Sequence, residues 1–260
     1  MTGRLQHLLA MPVLALLGLA LPVTVTPVLA EHPAECHAAG PQAESDFPLP
    51  QVARAVAAKR LSVLVVGAGS SILPGPNGSK NAYPARLQSA LAGKLPGIEV
   101  SVTADVKSRR TAVDMVKTLA LSLSTAKPAL MIWQTATVDA MQAVDPDQFS
   151  QALDKGINMA RSAGADVIFI NPQYSPRTES IIALGTYVED MRWVALQQEV
   201  PVFDRFELMK TWADLGTFDL SSATNKLDIA ERVHDCIGRL LADFVLEAAK
   251  VNMRSIEGGR

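Results

Sequence analysis

Short apolar runs of strand length alternate with amphipathic helical patterns along most of the chain. The run over 61–66 is continuous, stops at glycines and is followed by Ser70 and Ser71, which is typical of a buried parallel strand leading into a tight strand-to-helix turn. Further strands are predicted at 98–103, 129–135, 166–170 and 200–203, and helices at 51–59, 84–92, 111–123, 147–163, 178–199 and 229–250. The alternation predicts one parallel sheet of about five strands with helices on both faces.

Residues 1–30 have the pattern of a secretory signal peptide. An arginine precedes a long apolar segment, and the small residue Ala30 closes it before the polar Glu31. An uncleaved membrane anchor is the alternative, but prolines interrupt the apolar run. No later stretch is apolar enough to span a bilayer, so the mature chain is predicted to be secreted or periplasmic.

The mature chain is predicted to contain one domain. Residues 31–60 are polar and rich in proline and alanine before a short helical pattern, which predicts an extended arm followed by a short helix. The α/β domain is predicted over 61–250, and 251–260 forms a tail.

The net charge and the glycine spacing argue against nucleic acid and nucleotide cofactors as partners. The formal net charge is -2 without a clustered basic stripe, which argues against nucleic acid. The sequence Gly67-Ala-Gly69 lacks the third glycine of a dinucleotide loop and the Lys-Ser/Thr of a P-loop, so no cofactor is predicted. The sequence predicts no oligomeric state.

Cys36 and Cys236 are the two cysteines of the chain. In an oxidising compartment they are expected to form a disulfide that ties the amino-terminal arm to the last helix. The alternative is a buried free thiol at Cys236 and an exposed one at Cys36. Neither has a metal-ligand neighbour at the usual spacing, so no metal site is predicted.

Several segments resemble the blocks of the SGNH (GDSL-type) hydrolase superfamily, which comprises exported esterases. Gly69-Ser-Ser-Ile72 resembles the Gly-Asp-Ser block, and Asn81–Leu87 contains a Tyr-Pro pair similar to the start of that family's first helix. Ile132–Asp139, Gly164–Tyr174 and Asn225–Ile237 fall where later blocks are expected. The resemblance implies a flavodoxin-like, three-layer α/β/α sandwich with a five-stranded parallel sheet.

The same resemblance implies a role for each aligned position. The nucleophile falls on Ser71. The first oxyanion-donor position carries Arg109, where the family has a glycine whose conformation arginine disfavours. The family's Gly-Thr-Asn block falls on Ala136-Thr137-Val138, so valine stands where the family has the asparagine that is its second donor. Asn225 stands at the expected aspartate and Asp228 at the expected histidine. The base, its orienting carboxylate and one side-chain donor are therefore absent.

Other side chains near these blocks offer substitutes for the missing groups. Asp139 follows Val138 and offers a carboxylate, although a solvated carboxylate after a strand is the commoner case. Arg109 and Arg110 are candidates to bind an anionic ligand, although adjacent loop arginines are more often simply exposed. His234 lies six residues beyond Asp228 on the same predicted helix and points elsewhere, so we interpret it as a packing or surface histidine.

Three functions follow from these observations. The first is a catalytically degenerate hydrolase fold that binds a carbohydrate or an acylated envelope component through Ser71, Arg109, Asp139 and Asp228. The second is a working esterase on small acyl esters, with Ser71 as the nucleophile and Asp228 or Asp139 as an unconventional base. The third is a structural domain that binds a partner protein.

Overall fold

The computed structural model describes Cys36 and residues 47–221 and 226–251. All of these residues belong to one unit, His32–Arg260. The predicted signal peptide and Asn225 lie outside the described residues, as does nearly all of the predicted tail.

The strands in the described part of the chain are β1 (Arg60–Gly67), β2 (Glu99–Val106), β3 (Leu130–Gln134), β4 (Asp166–Ile170) and β5 (Val202–Phe203). They form one parallel sheet in the order β2-β1-β3-β4-β5. The helices described are α1 (Pro50–Ala57), α2 (Gly78–Asn81), α3 (Tyr83–Lys94), α4 (Ala112–Ala126), α5 (Thr137–Met141), α6 (Pro146–Ser162), α7 (Pro176–Ile181), α8 (Leu184–Gln197), α9 (Arg205–Asp214) and α10 (Leu227–Ala248).

Alternate residues of the central strands point to opposite faces of the sheet, and each face is covered by helices. Val63 and Ile132 belong to one apolar core with α1, α3, α9 and α10. Leu64 and Met131 belong to the other core, with α4, α6 and most of α8. Because both of their faces are buried, the central strands β1, β3 and β4 are mostly apolar, as the sequence pattern predicted. The structure confirms the predicted three-layer α/β/α sandwich.

The strand order places a topological switch point between β1 and β3. The chain leaves β1 towards β2 on one side of the sheet and leaves β3 towards β4 on the other. Ligands of open α/β sheets bind outside the carboxyl ends of the strands at such a point. The turn Gly69–Ser71 follows β1 there, and Gln134 ends β3.

The last helix, α10, packs closely on α3. A Cβ on Gly238 would lie 2.5 Å from the Cβ of Arg86, so glycine is required at this crossing. Cys236 on the same helix is bonded to Cys36, which confirms the predicted disulfide. No helix within the described ranges is both long and apolar enough to cross a bilayer.

One predicted helix is divided in the structure, and α2, α5 and α9 form where no helix was predicted. The helix predicted at 178–199 is two helices, α7 and α8, because Ile182 has an extended backbone between them. No helix was predicted at Arg205–Asp214, yet α9 forms there and buries Phe206 and Trp212 on the sheet.

Candidate active site

A cluster of buried polar side chains lies at the switch point. Ser71 is fully buried, and its hydroxyl donates a hydrogen bond to Oε1 of Gln134 at 2.8 Å. Ser70 donates to the same oxygen at 2.9 Å. Ser71 folds back over the end of β1 because Gly67 has no side chain; a Cβ there would lie 2.3 Å from the serine hydroxyl. One amide oxygen therefore accepts hydrogen bonds from both serines.

Tyr83 provides the second polar contact of Ser71. It is the first residue of α3, and its hydroxyl lies 3.1 Å from Oγ of Ser71. Burial raises the pKa of Tyr83 to about 12, so the phenol stays protonated at neutral pH. A protonated phenol and an amide oxygen are hydrogen-bond partners but not bases that can remove a proton from a serine. Neither neighbour activates Ser71.

His234 is buried beside Tyr83 but serves as a helix cap. Its Nδ1 accepts a hydrogen bond from the backbone N–H of Tyr83 at 3.0 Å. This satisfies one of the free donors at the start of α3, because the cap residue Ala82 has no side-chain acceptor. Burial lowers the pKa of His234 to about 3, with a smaller contribution from the charge of Arg205, so the imidazole is neutral. The described hydrogen bonds of the Ser71 hydroxyl reach Gln134 and Tyr83, and none reaches an imidazole or a carboxylate.

The positions aligned with the family's glycines keep a left-handed backbone. Arg109 has φ 63 and Ala136 has φ 77, a region that favours glycine. Arginine at position 109 therefore adopts the conformation that we expected it to disfavour, and its side chain is exposed. Val138 lies in α5, half-buried, and its side chain has no donor.

Asp139 is fully buried at the start of α5 and joins two helices. Its Oδ1 accepts from the N–H of Ala112 at 2.8 Å, and its Oδ2 accepts from Thr135 and from the N–H of Ala136, each at 3.1 Å. Burial raises the pKa of Asp139 above its usual range, although these hydrogen bonds act in the opposite direction. All of its described hydrogen-bond partners lie at the starts of α4 and α5, so the carboxylate holds these two helices together.

Arg110 also has protein partners. It forms an ion pair with Asp105 at 3.2 Å and donates to the carbonyl oxygen of Gly67 at 3.2 Å. Arg110 therefore joins the end of β1 to the end of β2. Asp228 lies exposed in the first turn of α10, without a described hydrogen bond to Ser71.

Arg205, which the sequence analysis did not single out, lies beneath the serine turn. It is the first residue of α9 and is 1% exposed. One terminal nitrogen donates to the carbonyl oxygen of Ser70 at 3.0 Å and the other to Oε1 of Gln173 at 3.3 Å. Its guanidinium carbon lies 5.8 Å from the centroid of the Tyr83 ring. Burial lowers the pKa of Arg205 to about 10, so it remains charged at neutral pH.

Some of the residues that sequence reasoning missed carried a signal. Gln134 is a polar residue that closes an otherwise apolar strand, which is unusual for a position buried on both faces. Tyr83 is the tyrosine of the Tyr-Pro pair already noted. Arg205 follows a short strand without any distinguishing pattern. Among the described residues, no group of His, Cys, Asp or Glu side chains could hold a metal ion.

Comparison with known proteins gives a consistent result for family and fold. The sequence profile of the non-GDSL lipase-like family matches residues 35–251. A search of curated proteins gives no match.

Solved structures with the same fold include hydrolases of low sequence identity. TesA is 20% identical, with a TM-score of 0.54, over 70% of this chain and 99% of that one. A lipase/acylhydrolase from Enterococcus faecalis is 20% identical, with a TM-score of 0.52, over 69% and 97%. An acetylxylan esterase from Geobacillus stearothermophilus is 16% identical, with a TM-score of 0.54, over 75% and 95%.

These structural similarities establish the fold, and the family match covers most of the chain. The chain belongs to the non-GDSL lipase-like family of the SGNH/GDSL hydrolase superfamily.

Proposed function

We propose that this protein is exported, has lost serine-hydrolase catalysis, and binds a carbohydrate or an acylated envelope component at the carboxyl edge of the sheet. The observation that carries the proposal is the environment of Ser71. Its hydroxyl is fully buried and donates to the Gln134 amide oxygen, which cannot act as a base.

Acyl transfer by serine needs a proton acceptor and donors for the developing oxyanion. Asp228 is exposed at the position where the family has its histidine, and Val138 has no side-chain donor where the family has asparagine. Loss of a single oxyanion donor costs roughly a hundredfold to a thousandfold in rate, and loss of the base costs more. The combined losses support a protein without useful esterase turnover.

The binding part of the proposal is supported by the fold and by exposed groups at the site. The same fold occurs in an acetyl-xylooligosaccharide esterase and in a lipase/acylhydrolase, so sugar and acyl groups are reasonable ligand classes. Ser70 is partly exposed and Arg109 is exposed at the edge where such ligands bind. Export is supported by the apolar segment over 1–30 and by the disulfide.

The test of lost catalysis compares the wild type with Ser71→Ala and Ser70→Ala. We expect no labelling by a fluorophosphonate probe and p-nitrophenyl acetate hydrolysis at the same background rate in all three proteins. Labelling or turnover that disappears only in Ser71→Ala would establish an active esterase instead.

The test of binding uses the wild type with acetylated xylo-oligosaccharides and with octanoyl esters. We expect one class to raise the midpoint of thermal unfolding in a saturable way and to be recovered unhydrolysed. If neither class shifts the midpoint, this part of the proposal is wrong.

A further inference from the structure

The charge of Arg205 has no counter-charge among the described residues. Arg205 is 1% exposed, its Nε has no hydrogen-bond partner, and the two described hydrogen bonds of its guanidinium go to neutral oxygens. Burial of an unpaired guanidinium is strongly unfavourable for folding in general. An apolar residue of similar size would avoid that cost, so the position is better explained by a role in binding than by packing.

Nearby carboxylates are already engaged elsewhere. Asp204 precedes Arg205, but it accepts a hydrogen bond from Asn171 at 2.7 Å and pairs with Arg192 at 2.6 Å. Asp105, at the end of β2, pairs with Arg110. The region under the serine turn therefore carries an uncompensated positive charge.

The rim of the same turn is cationic or neutral. Ser108 lies next to the turn, with its hydroxyl 3.6 Å from where a Cβ of Gly69 would stand. Lys107 and Arg109 flank Ser108, and all three side chains are exposed. Their charges favour the approach of an anion to this edge of the sheet.

Gln173 is the side chain that accepts a hydrogen bond from the Arg205 guanidinium. It follows β4, is partly exposed, and its amide oxygen makes the longer of the two described hydrogen bonds of the guanidinium. A carboxylate or phosphate that displaced this amide oxygen would form a charge-assisted, two-pronged contact with the terminal nitrogens.

We propose that Arg205 is the recognition residue for an anionic group, a carboxylate or a phosphate, on the ligand of this site, and that the Gln173 side chain moves aside to admit it. The inference rests on the proposed function and specifies the ligand class. Among carbohydrate or acylated ligands, those that carry a carboxylate or a phosphate should therefore bind more tightly than their neutral counterparts.

The test measures binding of glucuronate, glucose 6-phosphate and neutral glucose by calorimetry at constant ionic strength. We expect at least one anion to bind the wild type about tenfold or more tightly than glucose, because hydrogen bonds between charged groups are the stronger ones. The two anions distinguish a carboxylate ligand from a phosphate ligand.

Matched variants locate the contact. Arg205→Lys keeps the charge but loses the planar fork, and it should weaken anion binding about tenfold, whereas Arg192→Lys should leave it unchanged. Gln173→Ala should strengthen anion binding, because it removes the amide that competes for the guanidinium. Since Gln173 is partly exposed, this variant tests the contact without changing the buried Arg205. Ser108→Glu should weaken anion binding by repulsion, and the exposed control Ser89→Glu should not.

Each remaining outcome has a distinct meaning. Failure of both anions to bind, or affinities equal to that of glucose, overturns the inference. If glucose binds equally well and Arg205→Lys has no effect, ligand binding stands and anion recognition does not. Ser71-dependent hydrolysis would refute the loss of catalysis, while the anion affinities would still decide the role of Arg205.

Discussion

The two side chains that hydrogen-bond to the Ser71 hydroxyl, and the imidazole that caps Tyr83, are uncharged at neutral pH for different reasons. Tyr83 stays protonated because burial raises its pKa to about 12. His234 stays unprotonated because burial lowers its pKa to about 3. Gln134 does not titrate at all. The Ser71 hydroxyl therefore has hydrogen-bond partners, but none of them can remove its proton.

The buried imidazole of His234 predicts acid sensitivity. The unfolded chain binds a proton at this residue below pH about 6.5, whereas the folded chain does so only near pH 3. The free energy of unfolding should therefore be unaffected by this residue above pH 6.5 and fall between 6.5 and 3, by up to about 1.4 kcal/mol per pH unit. Urea unfolding across this range measures it.

The control for that prediction is His234→Asn, which can still accept from the N–H of Tyr83 but does not titrate. Its unfolding free energy should vary less than that of the wild type between pH 6.5 and 4. Equal pH profiles for the two proteins would show that His234 is not buried in its neutral form.

For single residues, the sequence predicted where the site residues lie along the chain better than which side chains contact each other. Ser71 lies at the turn after β1 as expected, and the left-handed φ of Arg109 and Ala136 fits the aligned glycine positions. The contact between Arg205 and the Ser70 carbonyl joins residues 135 apart, and no local pattern encodes such a contact. The roles predicted for Ser71, Arg109, Arg110, Asp139 and Asp228 as ligand or catalytic groups remain predictions.

Elements with strong apolar periodicity were predicted well, and weakly patterned ones were not. The central strands β1 and β3 are buried on both faces, so continuous apolar runs mark them in the sequence. The short helix α9 buries only part of its surface and was missed. The break between α7 and α8 was also missed, because the sequence there contains no proline or glycine signal before Gly185.

Two glycines, one in α6 and one in α3, allow a test of helix packing. Gly156 in α6 lies against the indole of Trp133, and a Cβ there would approach the ring to 2.1 Å. Gly93 in α3 is exposed, with no atom within 4 Å of such a Cβ. Gly156→Ala should lower the free energy of unfolding by about 1–3 kcal/mol through overpacking. Gly93→Ala should raise it by up to about 1 kcal/mol through helix propensity.

Chemical denaturation of both variants checks this pair. The opposite signs are the informative result, because intrinsic helix propensity favours alanine at either site. Stabilisation by Gly156→Ala would mean that α6 and Trp133 pack less closely than described.

For the whole molecule, the parallel sheet and its layers followed from the alternation of strands and helices. The strand order came only with the family resemblance, because alternation alone permits several orders. The pairing of Cys36 with Cys236 was one of two interpretations, since a sequence cannot show whether two distant thiols meet.

Reduction of the disulfide should destabilise the whole domain. The bond joins residues separated by 200 positions, and closing so long a loop restricts the unfolded chain. Reductant should lower the free energy of unfolding by about 2–5 kcal/mol, as measured in urea. The variant Cys36→Ala/Cys236→Ala should start from the lower value and not respond to reductant. An unchanged wild-type midpoint under reductant would contradict this role.

The same bond closes most of the polypeptide into a covalent ring. A protease that cut one peptide bond between Cys36 and Cys236, for example in the exposed segment 74–77, would leave both fragments attached to each other. The nicked protein would migrate as a single species on a gel until thiols were added. A chain closed in this way therefore keeps all five strands in one covalent molecule after a single cleavage.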